Sequence, residues 1–450
     1  ACVYRAYCMD ADCSNSLFFF VLPEKGLENI RYVFLSALFM AFIFLGGGIY
    51  PLLFIDLFLG FYTIFASIKE WEKMKFAYLR NAVIILILFI VLSSVKLIPM
   101  LEFAMDYSYA KMDSQDNDLK KILEALTFRN VESRMGYMYD YRINGYTNDI
   151  WNWHEYHAYI GFLPLLLFLF SPIYLFRKEW HLILIAVIFF LVALGDNSVI
   201  NIWGILKQLP LISDLHGPSR FLTVFIFLLS LITGKFMSIF ENRNLFFRLK
   251  NKKYNIWKIF LILLVLIIFA DLFLANSQLF KHSFVVKPLE VEKQEFAQVT
   301  GFKEKIQYPT FLANLGLANC FEKVKPKLAA IPKFDTKTGA ICTNYIGEAY
   351  MLENNETQEI TYFSPNKVKV KSNESGILVL NQNYADGWKV KNGMVKNANG
   401  LVGAEVEKGR EAVFYYMPKS FIFGFFLSVI SLISGLIFYF TSKTAHHSSS

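Results

Sequence analysis

Two kinds of connector alternate along this chain, and they constrain its arrangement more than any other feature. Long apolar runs are joined on one side by short basic segments, at residues 69–80, 177–180 and 243–258. On the other side they are joined by longer segments rich in acidic and aromatic residues, at 100–155, 195–220 and 276–418. Lys and Arg beside membrane helices mark the cytoplasmic face. The longer segments are therefore predicted to face outward.

The apolar runs approach the length needed to cross a membrane. Mean hydropathy is +0.38, 55% of the residues are hydrophobic, and the chain contains 46 Phe in 450 residues. A crossing helix needs roughly 20 apolar residues, and about eight runs come near this length. They cover residues 32–48, 50–68, 79–98, 156–176, 181–195, 221–240, 256–275 and 421–440. Any one run could be a buried helix of a soluble protein, but eight together predict a polytopic α-helical membrane protein.

The block at 276–418 has a different pattern. Val368-Lys-Val370-Lys alternates apolar and polar residues, and Asp386-Gly387 is a turn signal. Short strands separated by regular turns predict an extracytoplasmic β-sandwich, and Pro418 ends its last strand. The predicted order is an unassigned segment 1–26, a helical bundle 27–275 with outward loops 100–155 and 195–220, a β-rich domain 276–418, a last membrane helix 419–441 and a cytoplasmic tail 442–450.

Charge and motifs exclude several classes of function. The net charge of +8 does not indicate a nucleic-acid partner, because many basic residues lie in the cytoplasmic segments, where they set topology and contact lipid headgroups. The sequence contains no Walker loop, dinucleotide glycine fingerprint, Gly-x-Ser-x-Gly elbow or paired zinc cysteines. Cys320 and Cys342 both lie in the outward block, where a disulfide can persist. Two free thiols are the alternative.

Two charged residues next to apolar runs are candidates for chemistry. Arg220 follows a Gly-Pro turn, near Asp214 and His216, directly before a membrane run. An Arg held there can bind a phosphate or carboxylate bidentately, or can extend to the membrane interface. Asp271 lies near the outer end of its run, where an unpaired carboxylate is costly. We interpret Asp271 as an interfacial acid at the entry to the β-rich block, with an ion pair or a substrate contact as the alternative.

The first outward loop concentrates aromatic and acidic side chains. Trp151, Trp153 and Tyr139 offer flat faces for sugar rings, and Glu155 or Asp140 can act as a general base toward a hydroxyl. The alternative is an aromatic belt at the membrane interface.

The sequence predicts no complete metal site and no certain cofactor. His154 and His157 are three residues apart, and no third ligand is evident. A divalent metal held by oxygen ligands such as Asp140 and Asp149 stays possible.

Five short motifs occur in order across roughly residues 30–440. They are Lys96-Leu-Ile-Pro99, Tyr159-Ile-Gly161-Phe-Leu-Pro164, Gly217-Pro218-Ser219-Arg220-Phe221, Asp271-Leu272 with Asn276, and Asn383-Tyr384-Ala-Asp-Gly387-Trp388 with Gly400 and Tyr416-Met-Pro418. In order and spacing they resemble the YfhO-like membrane proteins of bacteria. Each motif alone is a weak signal, whereas the ordered set is fairly specific.

The resemblance implies a GT-C type glycosyltransferase of the bacterial cytoplasmic membrane. Such an enzyme moves a sugar from a polyprenyl-phosphate donor to an acceptor on the outer face, here a cell-surface polymer such as teichoic acid. The resemblance begins at about Leu27. The first outward loop of the family carries its key acidic residue. The chain is therefore expected either to lack this loop or to carry the base elsewhere, and no catalytic aspartate is transferred. By chemistry and position, Arg220 and His216 are the candidate phosphate ligands.

Other functions stay open. A non-catalytic membrane protein could use the β-rich domain to bind surface glycan or a partner protein. A transporter is less favoured, because transport paths need polar or broken helices at mid-membrane. The runs at 83–91 and 259–270 contain no charged residue, Gly or Pro.

Overall fold

The computed structural model of the chain describes most of the sequence, and all structural statements below concern this part. The described residues are 30–71, 76–106, 108–109, 117–129, 158–209, 212–213, 215, 217–241, 246–249, 252–283, 290–300, 312–317, 324–325, 329–335, 340–391 and 393–447.

The described residues form helices and strands in distinct regions. The helices are α1 Ile30–Leu45, α2 Ile49–Lys69, α3 Ala77–Leu92, α4 Ser94–Asp106, α5 Leu119–Thr127, α6 Phe162–Ala193, α7 Ile202–Leu206, α8 Leu222–Glu241, α9 Ile256–Ser283 and α10 Lys419–His447. The strands are β1 Ser108–Tyr109, β2 Phe246–Leu249, β3 Lys252–Asn255, β4 Ala297–Thr300, β5 Leu315–Leu317, β6 Val324–Lys325, β7 Phe334–Asp335, β8 Ala349–Met351, β9 Glu359–Ser364, β10 Lys367–Lys371, β11 Gly376–Asn383, β12 Trp388–Lys391, β13 Met394–Ala398, β14 Leu401–Val406 and β15 Glu411–Tyr416.

The chain divides into two compact units. We call residues 1–87 and 111–286 the helical unit, and residues 88–110 and 287–450 the β unit. Within the described residues, the helical unit contains most of the membrane-type helices and the β2–β3 hairpin. The β unit contains α4, α10 and the remaining strands.

Four helices are long and apolar enough to cross a membrane. They are Ile49–Lys69, Pro218–Phe240, Ile256–Ser277 and Lys419–Thr441. A fifth span results if α3 and α4, which meet at a bend of 79°, count as one broken crossing. The bend interrupts the predicted run 79–98 at Ser93. The described part of the chain thus contains membrane-type helices as predicted, while a total of about eight spans stays a prediction.

Helix α6 consists of two arms. Glu179 has non-helical backbone angles, φ −121° and ψ 22°. Phe168 and Phe190 both pack on Phe225 of α8, with ring centroids 5.6 and 5.1 Å away. A continuous helix would separate Phe168 from Phe190 by about 33 Å. The arms therefore fold back on each other, at the basic segment that the sequence places between two apolar runs.

The basic connectors meet at one end of the helical unit. Glu179 accepts a hydrogen bond from Lys235 Nζ at 2.8 Å, and Lys69 Nζ lies 4.0 Å from the same carboxylate. Trp257, at the start of α9, packs against Phe240, near the end of α8, at 5.2 Å. We call this the basic end. Its composition agrees with the grouping predicted from the alternating connectors.

The β unit contains the predicted sandwich. One antiparallel sheet has the order β12–β15–β10–β9 and the other β13–β14–β11–β8. One apolar core is drawn from both sheets, including Val370 of β10, Phe414 of β15 and Leu378 of β11. In β10 the side chains of Val368 and Val370 are buried, as their alternation with Lys predicts. A smaller parallel sheet, β5–β4–β7, precedes the sandwich and was not predicted.

Two helices of the β unit pack very closely. A Cβ at Gly424 of α10 would lie 2.3 Å from the carbonyl oxygen of Ser94 in α4. The hydroxyl of Ser428 accepts a hydrogen bond from the Val95 N–H at 3.0 Å. Close approach at small residues and hydroxyl bonds between helices are typical of membrane packing. Ser428 thereby satisfies an N–H of the first turn of α4, which no carbonyl within that helix can accept.

Candidate functional site

The structure describes Arg220, one of the predicted site residues. The other predicted site residues lie outside the described residues; they are Tyr139, Asp140, Trp151, Trp153, Glu155 and His216. The possible metal ligand Asp149 also lies outside them. The candidate site is therefore built from Arg220 and from the described polar residues at the same end of the helical unit.

A buried aromatic anchor fixes the backbone at Arg220. Pro218–Phe221 forms a 3-10 turn that leads into α8, and Pro at the start of such a turn presets its φ. Phe221 is fully buried, with ring centroids 4.8 Å from Phe54 and 5.9 Å from Trp203. Burial of a Phe side chain contributes about 1.5–3 kcal/mol. The turn is thus held by core packing, and Arg220 extends from a fixed point.

The side chain of Arg220 is held on both sides. Its guanidinium carbon lies 4.2 Å from the centroid of the Tyr50 ring at the start of α2. Its stem crosses Gly217, where an added Cβ would lie 3.0 Å from Arg220 Nε. Because Gly217 has no Cβ, the aliphatic part of the Arg220 side chain can pass over it. The Tyr50 ring then holds the guanidinium group. Such a stack contributes about 0.5–2 kcal/mol.

The stack on Tyr50 occupies the face of the Arg220 guanidinium. The N–H groups of a guanidinium lie in its plane, whereas an aromatic ring contacts its face. An Arg in this geometry can therefore bind two oxygens of a phosphate or carboxylate side by side. The half-buried position of Arg220 strengthens such a bond relative to open water.

Asp271 of α9 is ion-paired, which corrects the interpretation of it as a simple interfacial acid. The guanidinium of Arg129 contacts Asp271 Oδ1, and the hydroxyl of Tyr159 donates a hydrogen bond to Oδ2 at 2.7 Å. Both carboxylate oxygens are thus engaged by residues from two other segments. A carboxylate near the end of an apolar helix is tolerated when it is paired in this way.

Gly161 makes room for this carboxylate. Its φ is +83°, a conformation that side chains rarely adopt. A Cβ there would lie 2.6 Å from Asp271 Oδ2. Glycine is therefore required twice at this position, by the backbone angle and by the neighbouring oxygen.

Helix α5 positions the partners of Asp271. The carbonyl oxygen of Leu126 accepts hydrogen bonds from the N–H groups of Ile160 at 2.9 Å and Gly161 at 3.1 Å. Asn117, just before α5, donates from its amide to the Ala193 carbonyl oxygen at 2.8 Å. Arg129 follows the last turn of α5, whose apolar face is buried. Helix α5 thus fixes the segment 158–161 through its last turn.

Arg220 and Asp271 lie at the end of the helical unit away from the basic end. Arg220 and Tyr50 stand at the starts of α8 and α2, whereas Lys235 and Lys69 stand near the ends of these helices. Asp271 lies fifteen residues into α9, whose start packs at the basic end. We call the group of Tyr50, Gly161, Arg220 and Asp271 the distal end.

One acidic residue within a membrane-type helix was missed. Asp56 lies in α2 among apolar side chains, and within the described part of the chain its Oδ1 atom is buried without a hydrogen-bond partner. A lone carboxylate inside a 21-residue apolar helix is itself a signal in the sequence.

The β unit contains a buried polar network around Glu348. Its Oε1 atom accepts hydrogen bonds from the Gln298 N–H at 2.8 Å and the Tyr345 hydroxyl at 3.1 Å. Asn381 lies 3.4 Å from Oε2 and also binds both backbone groups of Ile331. Burial raises the pKa of Glu348, and these hydrogen bonds partly offset that rise. The network ties β11 to the segment before β7.

The structure bears on two further expectations, a metal site and a disulfide. Within the described residues no group of three or more His, Cys, Asp or Glu side chains is placed to hold a metal ion. Cys342 is a free thiol, and Cys320 lies outside the described residues.

Comparison with known proteins gives no relative. No protein-family model, curated protein or solved structure matches this chain. The likeness to YfhO-like proteins therefore stays a hypothesis from sequence.

The structure nevertheless brings several of the quoted motifs together. Tyr159 and Gly161 meet Asp271 in the helical unit. In the β unit a Cβ at Gly387 would lie 2.6 Å from the Tyr416 ring, and the Met417 N–H donates to the Gly387 carbonyl oxygen at 2.8 Å.

Proposed function

We propose that this chain is, or belongs to, an integral-membrane glycosyltransferase that uses a polyprenyl-phosphate sugar donor. The observation that carries the proposal is the fixed Arg220 at the distal end, stacked on Tyr50 and anchored by Phe221. The charge rule assigns this end to the outer face. A cation that is fixed near a membrane surface suits the phosphate of a lipid donor.

Arg220 would act on the leaving group. When the sugar leaves, negative charge develops on the polyprenyl phosphate, and a preorganised guanidinium stabilises that charge. The Tyr50 stack limits the motion of Arg220, so little reorganisation accompanies the reaction. Lys at this position would keep the charge but lose the bidentate geometry and the stacking plane.

The remaining roles rest on residue chemistry alone. Glu155 or Asp140 would accept the proton of the acceptor hydroxyl, and Trp151, Trp153 and Tyr139 would stack on sugar rings. The proposed acceptor is a cell-surface polymer such as teichoic acid, and His216 would assist Arg220 at the phosphate. The proposed location is the bacterial cytoplasmic membrane, with the β-rich block 276–418 outside.

A genetic experiment tests this function. Deletion of the gene should reduce glycosylation of the surface polymer, measured as sugar per unit of isolated polymer. Wild type should restore it, Arg220→Lys should restore it partly, and Arg220→Ala should leave it at least tenfold lower at equal protein level. Arg177→Ala, at an exposed position of the basic end, is the matched control and should restore it fully.

The outcome separates the proposed enzyme from the non-catalytic alternative. Full restoration by Arg220→Ala would remove the phosphate role and favour a protein that acts through its β unit. Unchanged polymer glycosylation after deletion would contradict the transferase.

A further inference from the structure

The β unit contains a cavity of about 250 Å³ beside the sandwich. Its walls come from β4, β5, β9, β10, β11 and β12 and from the residues next to them. Clefts for drug-sized ligands measure roughly 300–1,000 Å³. The cavity is therefore sized for about one ring.

Aromatic rings line the cavity. Phe296 stacks on Phe363, with centroids 3.5 Å apart and planes within 15°. Trp388 is half-buried and meets Tyr416 edge-on at 5.5 Å. These ring contacts hold the side chains in place, so they contribute fixed apolar surface to the lining. Fixed aromatic surface of this kind packs well against the C–H groups of a ring-shaped ligand.

Uncharged polar groups complete the lining. Gln298 donates from its side-chain amide to the Asn381 carbonyl oxygen, and this bond fixes the amide. Gln382 and Ser364 also line the cavity, and none of the nine lining residues that the structure describes is charged. A charged ligand would therefore find no counter-ion among these residues, whereas hydroxyl groups would find amide donors and acceptors.

A β-bulge in β11 places Gln382 in the lining of the cavity. In the pairing of β11 with β14, Leu380 faces Val402 and Asn383 faces Leu401. Asn381 and Gln382 are thus extra residues on β11. Bulges re-aim side chains and are frequent beside functional sites. Asn381 enters the buried network, while Gln382 makes no side-chain hydrogen bond to any residue that the structure describes and stays available to a ligand.

We infer that this cavity binds one uncharged sugar ring, a neutral pyranose unit of a glycan. Aromatic surface in the cavity matches the C–H groups of a pyranose ring. Neutral amides match the hydroxyl groups at its rim. The inference does not rest on the proposed transfer reaction, since the cavity lies in the β unit and Arg220 in the helical unit.

Binding of simple sugars to the full chain tests the inference. The protein is placed in lipid nanodiscs, because sugar-based detergents would compete. Saturation-transfer NMR or calorimetry is run with the methyl glycosides of glucose, galactose and N-acetylglucosamine, and with glucuronate as a charged counterpart. At least one neutral glycoside should bind in the roughly millimolar range that a single ring reaches. Glucuronate should bind at least tenfold more weakly.

Two variants assign the binding to the cavity. Gln382→Leu removes the amide at similar size, and Gly316→Ala adds a Cβ 3.0 Å from the Phe296 ring. Each should weaken binding at least tenfold. Gln294→Leu, at an exposed position that does not line the cavity, is the matched control and should bind as wild type does.

Three results would overturn the inference. The first is that none of the neutral glycosides shows saturable binding. The second is that both cavity variants bind the glycoside with wild-type affinity. The third is that the neutral peptide probe N-acetylphenylalanine amide binds in preference to the glycosides, and that the same variants lose this binding. The last result would assign the cavity to a peptide side chain.

Discussion

The hydroxyl of Tyr159 donates a hydrogen bond to Asp271 at 2.7 Å, across 112 residues of sequence. Arg129 engages the other oxygen of the same carboxylate. The contact joins the segment before α6 to Asp271, fifteen residues into α9. It also brings together two motifs that were noted separately in the sequence, and it fixes the Asp271 side chain in place.

Loss of the Tyr159 hydroxyl should weaken the helical unit. In Tyr159→Phe the carboxylate keeps Arg129 but loses one charge-assisted hydrogen bond, so we expect a loss of about 1–2 kcal/mol in the free energy of unfolding. Denaturant titration in mixed micelles measures it. The control is Tyr174→Phe, because Tyr174 contributes ring contacts to Phe236 and is 55% exposed. Equal losses in the two variants would contradict the role of the hydroxyl.

Gly161→Ala should be more damaging than an ordinary substitution. The backbone of Gly161, at φ +83° and ψ 162°, lies in a region essentially restricted to glycine, which costs a side chain about 1–3 kcal/mol. The new Cβ would also lie 2.6 Å from Asp271 Oδ2. We expect a total loss of roughly 2–4 kcal/mol. Gly234→Ala in α8, where a Cβ meets no atom within 4 Å, should be neutral or stabilising. A neutral Gly161→Ala would show that Gly161 does not hold this geometry.

Gly424→Ala tests the close packing of α4 and α10. The added Cβ would lie 2.3 Å from the Ser94 carbonyl oxygen, a backbone atom that cannot move aside alone. The two helices must separate, and we expect a loss of about 1–3 kcal/mol. The loss should appear as a lower midpoint of thermal unfolding. Gly60→Ala in α2, which meets no atom within 4 Å, is the matched control, and an equal midpoint in both variants would contradict the contact.

Glu348 should give the protein a pH-dependent stability. Burial raises its pKa in the folded state, so the folded protein holds the proton more tightly than the unfolded chain. Its contribution is therefore fully present below the ordinary carboxyl pKa and is lost as pH rises through the raised pKa. Glu348→Gln cannot ionise and should show a flatter curve of unfolding midpoint against pH.

A control keeps the pH experiment specific to the buried carboxyl. Glu292→Gln, at an exposed position, should follow the slope of the wild type. Parallel curves for wild type and Glu348→Gln would show that Glu348 does not titrate differently in the folded and unfolded states.

Local patterns predicted much of the fold. The alternation of valine with lysine in β10 follows from the period of a strand, and the grouping of Lys69 with Glu179 follows from the alternating connectors. These features depend on short windows of sequence, so they are readable before any tertiary contact is known.

Other features depend on contacts between distant segments. Near the break at Ser93, the N–H of Val95 donates a hydrogen bond to the distant Ser428 hydroxyl. The parallel sheet of β4, β5 and β7 pairs short segments with little periodicity. For the same reason, the sequence did not indicate that Asp271 pairs with Tyr159. Periodicity indicates which face of an element is buried, but not which distant residue covers it.

The candidate site was predicted by residue type more than by arrangement. Arg220 was identified from its Gly-Pro turn, whereas its stack on Tyr50 depends on α2 and α8 starting at the same end. Gln382 gave no signal, because a bulge arises from strand pairing and leaves no mark in a single strand.

The most direct test of the central claim is turnover of a lipid-linked donor. The purified full chain, in nanodiscs, is mixed with polyprenyl-phosphate carrying a radiolabelled sugar and with isolated surface polymer. Transfer of label to the polymer should exceed that of empty nanodiscs, fall at least tenfold in Arg220→Ala and recover partly in Arg220→Lys, with Arg177→Ala unchanged. Wild-type transfer that Arg220→Ala leaves intact, or no wild-type transfer above empty nanodiscs, would contradict the account.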